Sequence, residues 1–283
     1  EIKGKGKMVI GYTVYEPMNY TDADGNFTGF DTELATAVCE KLGVEPEFVE
    51  INWDTKVVEL DAKSIDCIWN GLTLTDDREE NMACTKPYVK NAQVVVVKDG
   101  TDYASTADLV GKTVVAEAGS AGEEVALANG YNVVSVDSQA KALMEVQAGT
   151  ADAAIIDSLM AGAMVGEGTS YPNLTVTDQK LTEELYGVGC RKGSDLASFI
   201  NSVLADAYAD GTLQTIAETY GVQAALVEQP TSEFTASETD SDVQYIKDKG
   251  TLVIGITEFE PMDYQDADGN WIGFDADLAK LVA

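Results

Sequence analysis

Short apolar runs alternate with longer amphipathic stretches through most of the chain. Met8–Tyr12, Glu47–Ile51 and Ile65–Trp69 read as strands, the last running into Asn70 and Gly71. The stretch opening at Asp31, the segment Thr55–Ala62 and a segment starting near Asp76 have helical spacing. Asp31 suits an N-cap with Glu33 in the first turn, and Asp22–Asn26 (DADGN) is a turn. A second block begins near Lys98, Asp99 and Gly100. Its strands are Thr113–Ala116, Val133–Val136 and Ala153–Ile156; its helices open at Ser120 and span Ser138–Gln147, with Gly149 as a stop. Leu185–Cys190 reads as a strand returning to the first block, and Leu196–Gly211 and Leu213–Tyr220 as closing helices. This alternation predicts βαβ units and an α/β fold with a mostly parallel sheet.

One stretch breaks the pattern. Gln229–Asp242 is rich in Ser, Thr and acids and has no apolar period, so it reads as a linker. Directly after it the chain repeats itself. Residues 246–283 restate residues 2–39 without a gap at an offset of about 244, and roughly 23 of 38 positions are identical. A period this long is a domain. The expectation is one complete domain followed by the opening of a second.

Composition narrows the classes. At 45% apolar residues the chain can bury a sizeable core, and it has no run of 18 apolar residues to span a membrane. Residues 1–7 are polar and basic with no apolar stretch behind them, so no signal peptide is visible. A net charge of −31 argues against nucleic-acid partners; it reads as a surface solubility trait or, alternatively, as an acidic field that favours cationic ligands. Histidine is absent, which removes Ser-His-Asp and Cys-His catalysis and the commonest transition-metal ligand. Cys39, Cys67, Cys84 and Cys190 have no zinc spacing; they read as small buried residues, with room for one disulfide. DADGN resembles the start of a calcium loop, but its glycine comes two residues early, and no metal or cofactor is expected.

Three positions stand out. Arg78 lies in the first turn of a helix capped by Thr75, where a cation opposes the helix dipole; it either meets an anion or pairs with Asp76 or Glu79. Ser120 and Glu123 form a capping box behind Gly119, which is either a plain cap or an anion site. Asp157 follows an apolar strand, where the carboxyl ends of strands face ligands; the alternative is a helix cap. Arg78 and Asp157 come from different blocks and together suit the carboxylate and ammonium of a zwitterion.

The ordered set YEPMNY, GFDTELA, INWD, NGLTLTDDRE, the strand-AGS-helix turn, ADAAIIDS and RKGSD resembles the type II periplasmic-type amino-acid-binding proteins of ABC importers. The resemblance covers residues 7 to about 225. It implies a two-lobed Venus-flytrap: lobe 1 from 1–95 and 190–229, lobe 2 from 96–189, and hinge strands near Val94–Lys98 and Leu185–Cys190. A linker at 230–241 and the start of a homologous domain at 242–283 would follow. It also implies that Arg78 binds the ligand carboxylate with help from Gly71, Thr73 and the Ser120–Ala121 turn, and that Asp157 holds the amino group. Tyr15 and Trp53 would sandwich the side chain. In relatives that take lysine-type or glutamine ligands an aspartate often stands where this chain has Tyr12; Glu16, Asp31 and Glu117 are the acidic substitutes, and Asn70 offers an amide. A cationic amino acid (arginine, lysine or ornithine type) is favoured, with glutamine or another polar amino acid as the alternative.

The function this implies is capture by hinge closure and delivery to an ABC permease outside the cytoplasm, on a lipid-anchored or permease-fused protein. A dehydratase-type enzyme and a ligand-sensing domain are the other classes; the Arg78 and Asp157 pair and the want of a general acid argue against an enzyme. In the second copy Glu260 and Asp275 repeat Glu16 and Asp31, Tyr15 becomes Phe259 and Tyr12 becomes Ile256. The segment 242–283 is expected to self-associate by exchange or strand contact.

Overall fold

The computed structural model describes residues 6–234, 241–257, 264–265, 270–273, 279 and 281–282. Phe259, Glu260 and Asp275 lie outside the described residues. The chain divides into two units, one formed by 1–90 and 185–283, the other by 91–184.

In the first unit the strand Cys67–Thr73 is buried at every position, which explains its unbroken apolar run. Lys7–Thr13 runs parallel to it and to Glu45–Glu50, while Glu184–Arg191 lies antiparallel on its other side and pairs in turn with Met82–Cys84. The helix Phe30–Leu42 packs on this sheet and ends at Gly43 in the left-handed conformation (φ 71°). Asp22 organises the DADGN turn, accepting hydrogen bonds from Asp24 N (2.9 Å) and Asn26 N (2.7 Å).

The second unit has its own sheet. Asn132–Val136, Thr113–Glu117 and Ala153–Asp157 run parallel, and Gln93–Lys98 and Leu174–Lys180 complete the order antiparallel. Val95, Val97, Val114, Ala153 and Ile155 from this sheet form its core with Leu109 and Ala126. The helix Gln139–Ala148 begins where Ser138 accepts from Lys141 N and stops at Gly149 (φ 81°), as its pattern predicts.

Three expectations need correction. Val94–Lys98 and Leu185–Cys190 are regular sheet strands of the second and first unit, so the chain crosses between units just before each of them, at Lys90–Asn91 and Glu184–Leu185. The apolar run of Val94–Val97 is core packing against Ala153–Ile156, which fixes it to one unit. Asp31 does not cap its helix; Gly29 is the N-cap, and Asp31 reaches another strand instead. The strand expected at Ile65–Trp69 runs over Cys67–Thr73; Asp66, just before it, binds Arg191 and Lys249 through its carboxylate, each at 3.3 Å. All four cysteines are free thiols, and Cys67 and Cys190 are register partners in the first sheet.

Where the repeat begins, the helix Asp242–Lys249 starts at Ser241, and Asp195 accepts from Val243 N at 2.9 Å.

Asn70 ties the first unit together. Its Oδ1 accepts from Thr13 N (3.0 Å) and Thr13 Oγ1 (2.7 Å), and its Nδ2 donates to Thr13 O (2.8 Å) and Asn19 Oδ1 (2.9 Å). Both lone pairs and both amide hydrogens are thereby used. Asn70→Ala would strand several buried polar groups at once, and we expect a loss of about 2–4 kcal/mol in urea denaturation. A loss below about 0.5 kcal/mol would refute this clamp.

Candidate binding site

The site residues of the first unit gather at the end of the strand Cys67–Thr73. Gly71 has φ 58°, and a Cβ there would meet the Tyr15 ring at 2.6 Å and the Tyr186 ring at 2.9 Å, so only glycine lets both rings close over it. The two phenols share a hydrogen bond of 2.5 Å. Gly71 N in turn donates to Asp31 Oδ2 (2.9 Å), and so does the Tyr88 hydroxyl (2.8 Å). Asp31 is fully buried, and that burial holds its carboxyl well above the usual range against the opposing pull of its donors.

Arg78 follows in the short helix Asp76–Asn81, whose N-terminus is capped by Thr75. It is 5% exposed, and Nη1 donates to Thr73 O at 2.8 Å. A cation placed against the helix dipole and then buried is held there by this backbone carbonyl. Thr73 and Arg78 are thus one feature.

The remaining residues expected in the first unit divide. Tyr12 is fully buried in an aromatic cluster with Phe27 (5.2 Å between ring centroids) and Phe48 (6.5 Å), a core-packing position. Trp53 packs with Leu60, Ile65, Ile68, Leu72 and Met82, and Lys56 Nζ stands 4.8 Å from its ring centroid. Asn70 is the internal clamp described above, which corrects its expected part in holding a ligand: its four hydrogen-bonding positions go to Thr13 and Asn19. Glu16, next to Tyr15, is largely buried, and that burial pushes its carboxyl up to about 8.

In the second unit Asp157 ends the strand Ala153–Asp157 and makes no side-chain cap to the helix after it, which sets aside the capping alternative. Three neutral amides point at its carboxylate: Asn91, Gln93 (2.6 Å to Oδ1) and Gln139. Asn91 and Gln93 also donate to Glu184 Oε2, at 2.9 and 3.0 Å. Two buried carboxylates are therefore bridged by amides that satisfy oxygens without cancelling charge. Ser120 caps the helix Ala121–Ala128, accepting from Glu123 N (3.1 Å), and the Glu123 carboxylate accepts from Gly119 N (2.8 Å). Glu117, 2% exposed, ends the preceding strand.

Sequence reasoning missed Asn91, Gln93, Gln139, Glu184 and Tyr186. The polar pair Asn91 and Gln93 directly before four valines was a usable signal, since polar residues entering a buried strand need partners.

Comparison with known proteins identifies this arrangement. A family model for bacterial extracellular solute-binding proteins, family 3, matches residues 8–223. The chain belongs to that family. The L-cystine-binding protein TcyJ of Escherichia coli is 32% identical over 224 residues, covering 77% of this chain and 84% of that protein. The L-arginine-binding protein of Pseudomonas aeruginosa is 32% identical over 217 residues, covering 73% and 84%. Among solved structures, a substrate-binding protein of an ABC uptake transporter from Streptococcus pneumoniae with bound histidine superposes with a TM-score of 0.72 at 33% identity, over 79% of this chain and 96% of that one. These relatives are amino-acid-binding proteins and not enzymes, and the two-lobed α/β fold is the family's.

Glu16 gives this family member a measurable pH signature. The folded state keeps a proton up to about 8 that an unfolded Glu loses near 4.5, so stability falls as pH rises between those values and levels above them. Glu16→Gln removes that loss. The variant should gain on the parent progressively from pH 5 to pH 8.5 in urea melts, and a constant difference across that range would contradict the buried, protonated carboxyl.

Proposed function

We propose that the protein captures an L-amino acid with a cationic side chain, of the arginine, lysine or ornithine type. The observation that carries this reading is a buried cation in one unit and a buried anion in the other: Arg78, which donates to Thr73 O, and Asp157, which accepts from Gln93. Arg78 takes the ligand's α-carboxylate as a bidentate partner, aided by the Ser120–Ala121 turn, and Asp157 takes the α-ammonium; the N–H of Gly71 is used by Asp31. Tyr15 and Trp53 line the side chain. Acidity beyond that pair favours a cationic end group: Glu16 and Glu117 are available, and a ligand cation beside Glu16 would draw its raised pKa down and release a proton.

In this reading the ligand contacts both units and so favours a closed state, which an ABC permease recognises at the outer face of the membrane. The names of the relatives support amino-acid capture, and the P. aeruginosa protein supports a basic ligand.

A thermal-shift screen with the twenty amino acids, ornithine and cystine tests this. Ligand at a hundred times Kd adds about 2.7 kcal/mol of stability, an easily read rise in Tm. Arginine, lysine or ornithine should give it; a rise with glutamine or cystine alone would remove the cationic assignment, and no rise with any amino acid would remove the binding function. Arg78→Ala and Asp157→Asn should each weaken binding by roughly 30-fold or more.

A further inference from the structure

Gly122 sits in the first turn of the helix Ala121–Ala128, two residues after the Ser120 cap. Its backbone is ordinary helix, so its own dihedrals do not call for a glycine, and a glycine inside a helix costs stability against alanine. The space beside it does call for one. A Cβ there would stand 2.9 Å from Gln93 Oε1 and 2.9 Å from Ile155 O, closer than a Cβ packs against either. Gly162, in the helix Ser158–Met164, has nothing within 4 Å of the same added atom. The close approach is particular to Gly122.

The atom it admits is one end of a committed amide. Gln93 is 2% exposed and is the register partner of Asp157 across the antiparallel strands Gln93–Lys98 and Ala153–Asp157. Its Nε2 donates to Asp157 Oδ1 at 2.6 Å and to Glu184 Oε2 at 3.0 Å. Ionised carboxylates only accept, so the amide nitrogen must face them and the oxygen is left to face Gly122. The root of the side chain is held as well: Gln93 N donates to Thr182 Oγ1 at 2.8 Å, and that hydroxyl donates to Glu184 Oε1 at 2.9 Å. Gln93 therefore has one orientation, with the carboxylates at one end of its amide and the glycine at the other.

We propose that Gln93 is a positioning residue for Asp157 and that Gly122 is the seat that lets it act. This rests on the proposed function, in which the Ser120–Ala121 turn meets the ligand's α-carboxylate and Asp157 its α-ammonium. Those two groups of an amino acid hang on a single carbon, so covalent chemistry fixes their separation. A site that grips both must hold its own two parts at a matching separation. The contact does this inside one unit. The helix start that carries the turn lies directly on Ile155 and Gln93, and Gln93 aims the carboxylate that ends the same strand as Ile155. Gln93 and Gly122 act through Asp157 and the turn rather than on the ligand itself.

Calorimetric titration of the full chain with L-arginine and with δ-guanidinovalerate, which is arginine without its α-amino group, tests this. The parent should prefer arginine by about 30-fold or more. Gln93→Met keeps the length of the side chain and removes the amide. It should cut that preference about tenfold, while the Kd for δ-guanidinovalerate changes less than about twofold. Gly122→Ala should do the same, and Gly162→Ala should change neither. A structural role alone would weaken both probes together, so an unchanged preference in Gln93→Met overturns the proposal, as does an equal loss in Gly162→Ala. Melting of the ligand-free protein reads the contact itself. The fall in Tm for Gly122→Ala combined with Gln93→Ala should be smaller than the sum of the two single falls, and strict additivity would refute the contact. A parent that binds neither probe would remove the proposed function and this role with it. A parent that binds both equally would remove Asp157 from that function, an outcome distinct from a failure of Gln93 alone.

Discussion

A carboxylate with no exposed surface holds the end of the central strand in the first unit. Asp31 accepts the N–H of Gly71 and the hydroxyl of Tyr88, and desolvation is the largest influence on its ionisation. Burying such a group is expensive unless its oxygens are satisfied, so the donors and the carboxylate must be placed together or not at all. That requirement fixes Gly71 in the left-handed region, and the fixed glycine is what the rings of Tyr15 and Tyr186 close upon. One residue earlier, Asn70 locks the neighbouring strand by its Thr13 backbone. Shortly after it, the carbonyl of Thr73 receives the Arg78 guanidinium. Three residues within one four-residue stretch of strand, Asn70, Gly71 and Thr73, thus carry the clamp, the close approach and the anchor of the cation.

The second unit solves a related problem with different chemistry. Its two carboxylates, Asp157 and Glu184, are bridged by the amides of Asn91 and Gln93, and Gln139 adds a third donor to Asp157. Neutral donors orient an anion and leave its charge intact, whereas a lysine or arginine in the same place would neutralise it. Arg78, in the first unit, donates to the carbonyl of Thr73.

Much of this was legible in the sequence, and the gaps have physical reasons. The caps at Thr75, Ser120 and Ser138 and the stop at Gly149 are local, set by residues within four positions of one another, and they stand where the pattern puts them. Asp31 looked like a cap because a helix start offers an aspartate a local explanation; its true partners are 40 and 57 residues away. The Asn91, Gln93 and Glu184 bridge spans more than 90 residues and becomes visible only when Gln93–Lys98 is known to lie beside Ala153–Asp157. The valines of Val94–Val97 fit a hinge strand and a core strand equally, since apolar character alone does not say which sheet a strand joins.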